Sequence, residues 1–202
     1  MKLYYSPGAC SLSPHIALME AGLPFTTEKV DLRSKQTETG ADFTKINSKG
    51  AVPALLLDDQ QVLTEGAAIV QYIADLKPES GLAPKAGSFE RYRLIELLNY
   101  LAAEVHKAFG PLFNPASSSD VKATAIANLG TRFDWLSKYL GAKPYLLGET
   151  FTVADGYLFA MLSWCSKLHV DLSKWPALVA YHARVAQRPK VQATLRAEGL
   201  LN

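Results

Sequence analysis

The feature that most constrains the fold is a change of period near residue 77. From Met1 to Leu76, short β-forming runs alternate with helical stretches: KLYY, PHIALMEAG, FTTEKV, ALLL, QVLT and GAAIVQYIADL in turn. The order reads β-α-β-α-β-β-α. Beyond Leu76 no convincing strand appears, whereas Leu94, Leu97, Leu98, Leu101, Val105 and Ala108 recur at helical spacing on one face. The stretch KPESGLAPKAGS between the two patterns gathers Pro, Gly and Ser, as a linker does. The expected organisation is α/β plus all-α: a mixed domain over 1–78, a linker over 79–86 and an all-helical domain over 87–202. With 202 residues, 49% of them hydrophobic, the chain has apolar surface enough for two modest cores.

Charge and cysteine usage exclude several classes of function. Basic and acidic residues nearly balance, 21 against 19, which gives no electrostatic reason to expect nucleic acid. The two cysteines are far apart in sequence, and no Cys/His group has zinc-ligand spacing, so neither a disulfide framework nor a metal is expected. No basic segment leads into a long apolar run, and no window approaches the roughly 20 apolar residues that a membrane span needs. The expectation is a soluble, cytoplasmic protein. Further along, Thr152 and Asp155 in FTVADGYLF have the spacing of a capping box, a folding signal. Gly156, inside the same helix, should cost about 1 kcal/mol relative to Ala unless close helix packing requires it.

Cys10, in GACSLSPH, is the candidate for chemistry. Ser13 followed by Pro14 has the residue types of an N-cap and a first helical position, which predicts a helix starting there. Cys10 would then lie just upstream of unpaired backbone N–H groups at the positive end of a helix dipole, an arrangement that lowers a thiol pKa. The alternative is a small buried hydrophobe. In place of C-x-x-C the chain has Cys10-Ser11-Leu12-Ser13, so an oxidised Cys10 has no close internal partner. Its exchange partner would be an external thiol, and a small cytosolic thiol such as glutathione fits. Cys165, among aromatic and aliphatic residues at helical spacing, reads as inert core.

Five motifs in order, YSPGACSLSPH, NSKGAVPALLLDD, LTEGAAIVQYIAD, LNYLAAEVHKAFGPLF and FTVADGYLF, make the chain resemble bacterial glutathione transferases of the beta class. The resemblance runs end to end and is nearest to members associated with degradation of aromatic pollutants such as chlorinated biphenyls. It implies a thioredoxin-like N-terminal domain, an all-helical C-terminal domain, a homodimer, and glutathione conjugated to hydrophobic electrophiles. Dehalogenation and mixed-disulfide exchange through Cys10 are possible further activities. A non-catalytic scaffold or ligand carrier on the same fold is the rival reading.

The resemblance also implies a site. A cis Val52-Pro53 bond would expose the Val52 N–H and C=O to the cysteinyl backbone of glutathione, as an added strand would. The N–H groups opening the helix at Gly66 would hold the γ-glutamyl carboxylate, and Glu65 its ammonium. Lys35 matches the family lysine for the glycyl carboxylate, and Ser11 could assist at the sulfur. Asn99, Ala103 and His106 share a helical stripe offset from the core face. His106 would lie near the sulfur as a catalytic partner of Cys10, with Lys107 adding positive potential. Asn99 and Glu104 would reach glutathione on the neighbouring subunit, beside backbone around Ala103 and Val105. Phe109, Phe113 and Trp164 are available as an apolar wall for the co-substrate. For each residue a plainer role in packing or solvation competes.

Overall fold

The computed structural model describes residues 1–201. The N-terminal part contains β1 (Lys2–Tyr5), α1 (Leu12–Ala21), β2 (Thr26–Asp31), β3 (Gln36–Thr37), β4 (Ala54–Leu56), β5 (Val62–Thr64) and α2 (Gly66–Leu76). The five strands form one sheet in the order β3-β2-β1-β4-β5. β1 pairs parallel to β2 and antiparallel to β4, with Leu3 opposite both Thr27 and Leu55. Successive side chains on a strand point to opposite faces, and both faces are covered here. Leu3 joins the large core with Ile16 and Ile73 from α1 and α2, while Tyr4 packs with Val30, Phe43, Val52 and Ala54 on the other side.

Two expectations need correction. The second helix of the N-terminal half is a single 3₁₀ turn, Phe43–Lys45. Asp42 holds that turn by accepting from the Thr44 N–H at 2.9 Å, and the Asn47 side chain bonds nearby backbone, so local side-chain bonding outcompetes a longer helix. Helix α1 starts at Leu12, with Ser11 at the N-cap, rather than at Pro14 behind a Ser13 cap, so Pro14 falls at its third position. Ser11, at the N-cap, makes no cap bond because its Oγ is taken by the Ser6 N–H and C=O.

The remainder is helical: α3 (Phe89–Tyr100), a π-helical turn (Leu101–His106), α4 (Gly110–Phe113), α5 (Ser119–Leu140), α6 (Val153–Lys167), α7 (Pro176–Ala186) and α8 (Pro189–Ala197). Of the six residues expected on the core face of the first of these, Leu94, Leu97, Leu98, Leu101 and Val105 are buried and Ala108 is half-buried. Helix α6 runs through the centre and packs on α1. A Cβ on Gly156 would lie 3.4 Å from Ile16 Cγ2, ordinary van der Waals contact, so one methyl fits between the helices and nothing larger does. Gly156→Ala should therefore leave stability unchanged or raise it by up to about 1 kcal/mol, and Gly156→Leu should lower it by roughly 2 kcal/mol or more. Urea denaturation of the two variants checks this.

The halves are clamped together. Arg91 on α3 pairs bidentately with Asp75 on α2 at 2.7 Å and Arg188 grips Glu20, while the Val153 N–H fastens the linker by donating to the Leu82 carbonyl at 2.9 Å. Among the described residues, no helix is long and apolar enough to cross a membrane.

Candidate active site

The loop from β1 to α1 carries Cys10 to the junction of the two halves. Gly8 adopts a left-handed φ of +70°, a conformation that glycine reaches without a Cβ clash. The C-terminal half grips this peptide on both sides, since the Gly8 N–H donates to Glu198 Oε2 and its carbonyl accepts from Trp164 Nε1, each at 2.8 Å. Glu198 also meets the His15 Nδ1 of α1 at 2.8 Å, so one buried carboxylate ties α1 and the cysteine loop to the end of the chain.

Cys10 opens on a cavity of about 360 Å³. Around it stand Val52 and the cis Pro53, then Glu65 and Gly66 at the start of α2, then His106 and Lys107. Four segments distant in sequence thus converge, and seven of the residues singled out from sequence share this wall. The Cys10 S–H donates to the Val52 carbonyl at 3.2 Å. Glu65, with φ +69°, is an unusual conformation for a residue with a side chain. Its carboxylate pairs with Lys49, which also donates to Thr64 Oγ1 at 3.0 Å.

The electrostatics of Cys10 reverse the sequence expectation. Burial pushes its thiol up to about 11, although the Cys10 and Ser11 backbone N–H groups pull the other way. The field of the helix start is present, but removing water from the thiolate outweighs it. His106 is held below its ordinary range by burial first and the Lys107 charge second, so its ring is neutral at pH 7. Its Nδ1 lies 2.8 Å from the Tyr157 hydroxyl.

Other expected residues lie elsewhere. Ser11 is fully buried with its hydroxyl occupied within its own loop. Lys35 donates to the Gly50 carbonyl at 2.8 Å and is off the cavity wall. The π turn changes the helical phase, so Asn99, Ala103 and His106 do not form one stripe: Ala102 faces the cavity with His106. Asn99 is exposed and bonds the Ile95 carbonyl. Ala103 and Glu104 line a second cavity of about 570 Å³ against α5, where Glu104 pairs with Arg132 at 2.8 Å, and Val105 is in the core. Lys107 borders both cavities.

None of the three expected aromatics lines the smaller cavity. Phe109 is 0% exposed and Trp164 5%, packed edge to face at 5.2 Å, while Phe113, 47% exposed, alone offers open apolar surface. Sequence reasoning missed Lys49, Ala102 and Tyr157. Tyr157 lies seven residues before Trp164 on α6 and so on its face, and that spacing was the available signal. Lys49 stands three residues before Val52, inside a motif already singled out.

Residues 8–76 match the family model for the glutathione S-transferase N-terminal domain, and residues 100–189 match the model for the C-terminal domain. The chain is 46% identical over 200 residues to glutathione S-transferase GstA of Escherichia coli O157:H7, covering 99% of this chain and 100% of that one. It superposes on a bacterial beta-class glutathione S-transferase of Sphingomonas chungbukensis with a TM-score of 0.97 at 52% identity, covering 100% of both chains. A sphingomonad glutathione S-transferase complexed with glutathione matches with a TM-score of 0.96 at 51% identity, covering 99% of this chain and 100% of that one. Two domain models in order, full-length identity and a shared fold together establish that the chain belongs to the glutathione S-transferase family, in its bacterial beta class.

Proposed function

We propose that the chain binds glutathione in the Cys10 cavity and conjugates it to hydrophobic electrophiles, working as a cytoplasmic homodimer. The observation that carries this reading is the convergence of Cys10, the Val52 carbonyl, Glu65, Gly66 and His106 on one cavity. The first N–H groups of α2 hold the γ-glutamyl carboxylate, and the ligand's ammonium takes over Glu65 from Lys49. Lys49, released on the same wall, is better placed than Lys35 for a carboxylate of the ligand. The Val52 backbone pairs with the cysteinyl segment, which sets the sulfur between Cys10 and His106. The glutathione thiolate then attacks an electrophilic carbon, forming an S–C bond as the leaving group departs with its electron pair; with a halide leaving group the same step is dehalogenation. Asn99 and Glu104, on an exposed face beside Ala103, reach the neighbouring subunit's ligand. Phe113 offers the electrophile apolar surface.

Mixed-disulfide exchange through Cys10 is the slower reaction at neutral pH, because it needs a thiolate that burial disfavours. Both cysteines are free, in keeping with a reducing compartment.

Retention on immobilised glutathione, followed by turnover of 1-chloro-2,4-dinitrobenzene, tests the reading. Retention and saturable turnover are expected, whereas turnover no faster than the uncatalysed reaction overturns the conjugation and leaves a carrier. Glu65→Gln should raise KM for glutathione about 30-fold, the loss of a charge-assisted contact worth roughly 2 kcal/mol.

A further inference from the structure

We propose that Tyr157 fixes the tautomer of His106, donating its phenolic proton to Nδ1 so that Nε2–H is the donor presented to the ligand's sulfur. The inference rests on the glutathione reading only for the identity of that sulfur.

The Tyr157 oxygen and the His106 Nδ1 lie 2.8 Å apart, with their rings nearly perpendicular at 86°. One proton must lie between them. Burial holds the phenol far above its ordinary range, so Tyr157 is protonated at neutral pH, and His106 is neutral for the reasons given above. A neutral imidazole has one N–H and one lone pair, which leaves two arrangements. If Nδ1 carried the proton, the phenolic O–H of a residue only 4% exposed would need a second acceptor. Among the described residues, its hydroxyl has no hydrogen-bond partner but His106. If Tyr157 donates, both groups are satisfied and Nε2 carries the ring proton.

Nε2 is also free to donate. It has no hydrogen-bond partner among the described residues, yet the sole sealed side-chain polar atom without a partner there is Ser13 Oγ. Nε2 is therefore not sealed, and His106 shares with Cys10 the wall of one cavity. The charged and titratable groups around the pair are Lys107 beside it on the chain, Cys10 from the β1–α1 loop, Lys49 from the cis-proline loop and Glu65 at the start of α2. Tyr157 is thus a positioning residue, and His106 acts as a hydrogen-bond donor to a developing thiolate rather than as the base that forms it.

Nitrogen-15 NMR of protein labelled in histidine reads the tautomer directly, with the His106 signals assigned by their loss in His106→Gln. The expected result for the unliganded wild type is an unprotonated Nδ1 and a protonated Nε2, and a mixture of tautomers in Tyr157→Phe. A protonated Nδ1 in the wild type overturns the proposal, as does an unaltered tautomer in the variant. With glutathione bound, ultraviolet absorbance of the thiolate should titrate about one pH unit higher in Tyr157→Phe, and kcat should fall about 5- to 10-fold with KM for glutathione changed less than about twofold. A KM effect with no change in kcat or in that titration assigns Tyr157 a packing role and overturns the proposal. If the cavity does not take glutathione, column retention fails while the nitrogen spectrum is unaffected, so the two failures are distinct.

Discussion

At pH 7, iodoacetamide should alkylate Cys10 of the ligand-free protein about two orders of magnitude more slowly than a free cysteine, with the rate rising about tenfold per pH unit above neutrality. The thiolate is the reacting species, and burial pushes this thiol up to about 11, so only a minute fraction ionises at pH 7. Cys165 does not confuse the measurement, because burial pushes it up to about 12, and Cys10→Ala isolates its share. The sign of the linked stability follows. An acid whose folded pKa lies above its unfolded value favours the fold while both states are protonated, so the thiol's contribution is complete below about pH 8.5 and is lost toward pH 11. Alkylation at pH 7 as fast as that of a free cysteine would mean that the helix start, not burial, governs the sulfur.

That competition also explains what the sequence could and could not disclose. The residues that meet in the cavity lie in motifs legible one by one: Cys10 before a helix, Val52-Pro53 before a strand, Glu65-Gly66 opening another helix. Each is placed by local rules of strand, turn and helix start. Burial is not local. The water removed from Cys10 is displaced by residues from both halves of the chain, and no spacing around position 10 encodes that. The same holds for Ser11, whose hydroxyl closes its own loop instead of facing a ligand. The misplaced stripe Asn99-Ala103-His106 has a different cause: the sequence period assumes 3.6 residues per turn, and the π turn over Leu101–His106 shifts the phase where the helix passes the cavity. The helical half was legible from its apolar spacing, whereas the two-residue strand β3 was too short to show any period.

Asp155→Ala should destabilise the protein by about 4 kcal/mol and lower its melting temperature by roughly 10 °C, the largest stability effect expected of a single substitution here. The carboxylate is fully buried and accepts four hydrogen bonds. Oδ1 takes the Leu146 N–H and the Tyr181 hydroxyl, each at 2.8 Å, while Oδ2 takes the Thr152 N–H at 2.8 Å and the Thr152 hydroxyl at 2.9 Å. These donors come from the loop before α6, from the helix cap and from α7, so the capping box read from Thr152 and Asp155 is half of a network that also fastens two other segments. Alanine orphans all four donors where water cannot replace the oxygens. Asparagine keeps one oxygen but turns an N–H₂ group toward two donors, so Asp155→Asn should lose about half as much. Thermal unfolding followed by circular dichroism separates the three proteins, and a shift below about 3 °C for the alanine variant would show that the cap alone, not the network, matters. The consequence reaches the cavity because α6 also carries Tyr157 and Trp164, the partners of His106 and of the Gly8 peptide. A loosened α6 start releases the groups that hold both the imidazole and the cysteine loop, so conjugation in Asp155→Ala should fail at a lower temperature than the loss of helical signal.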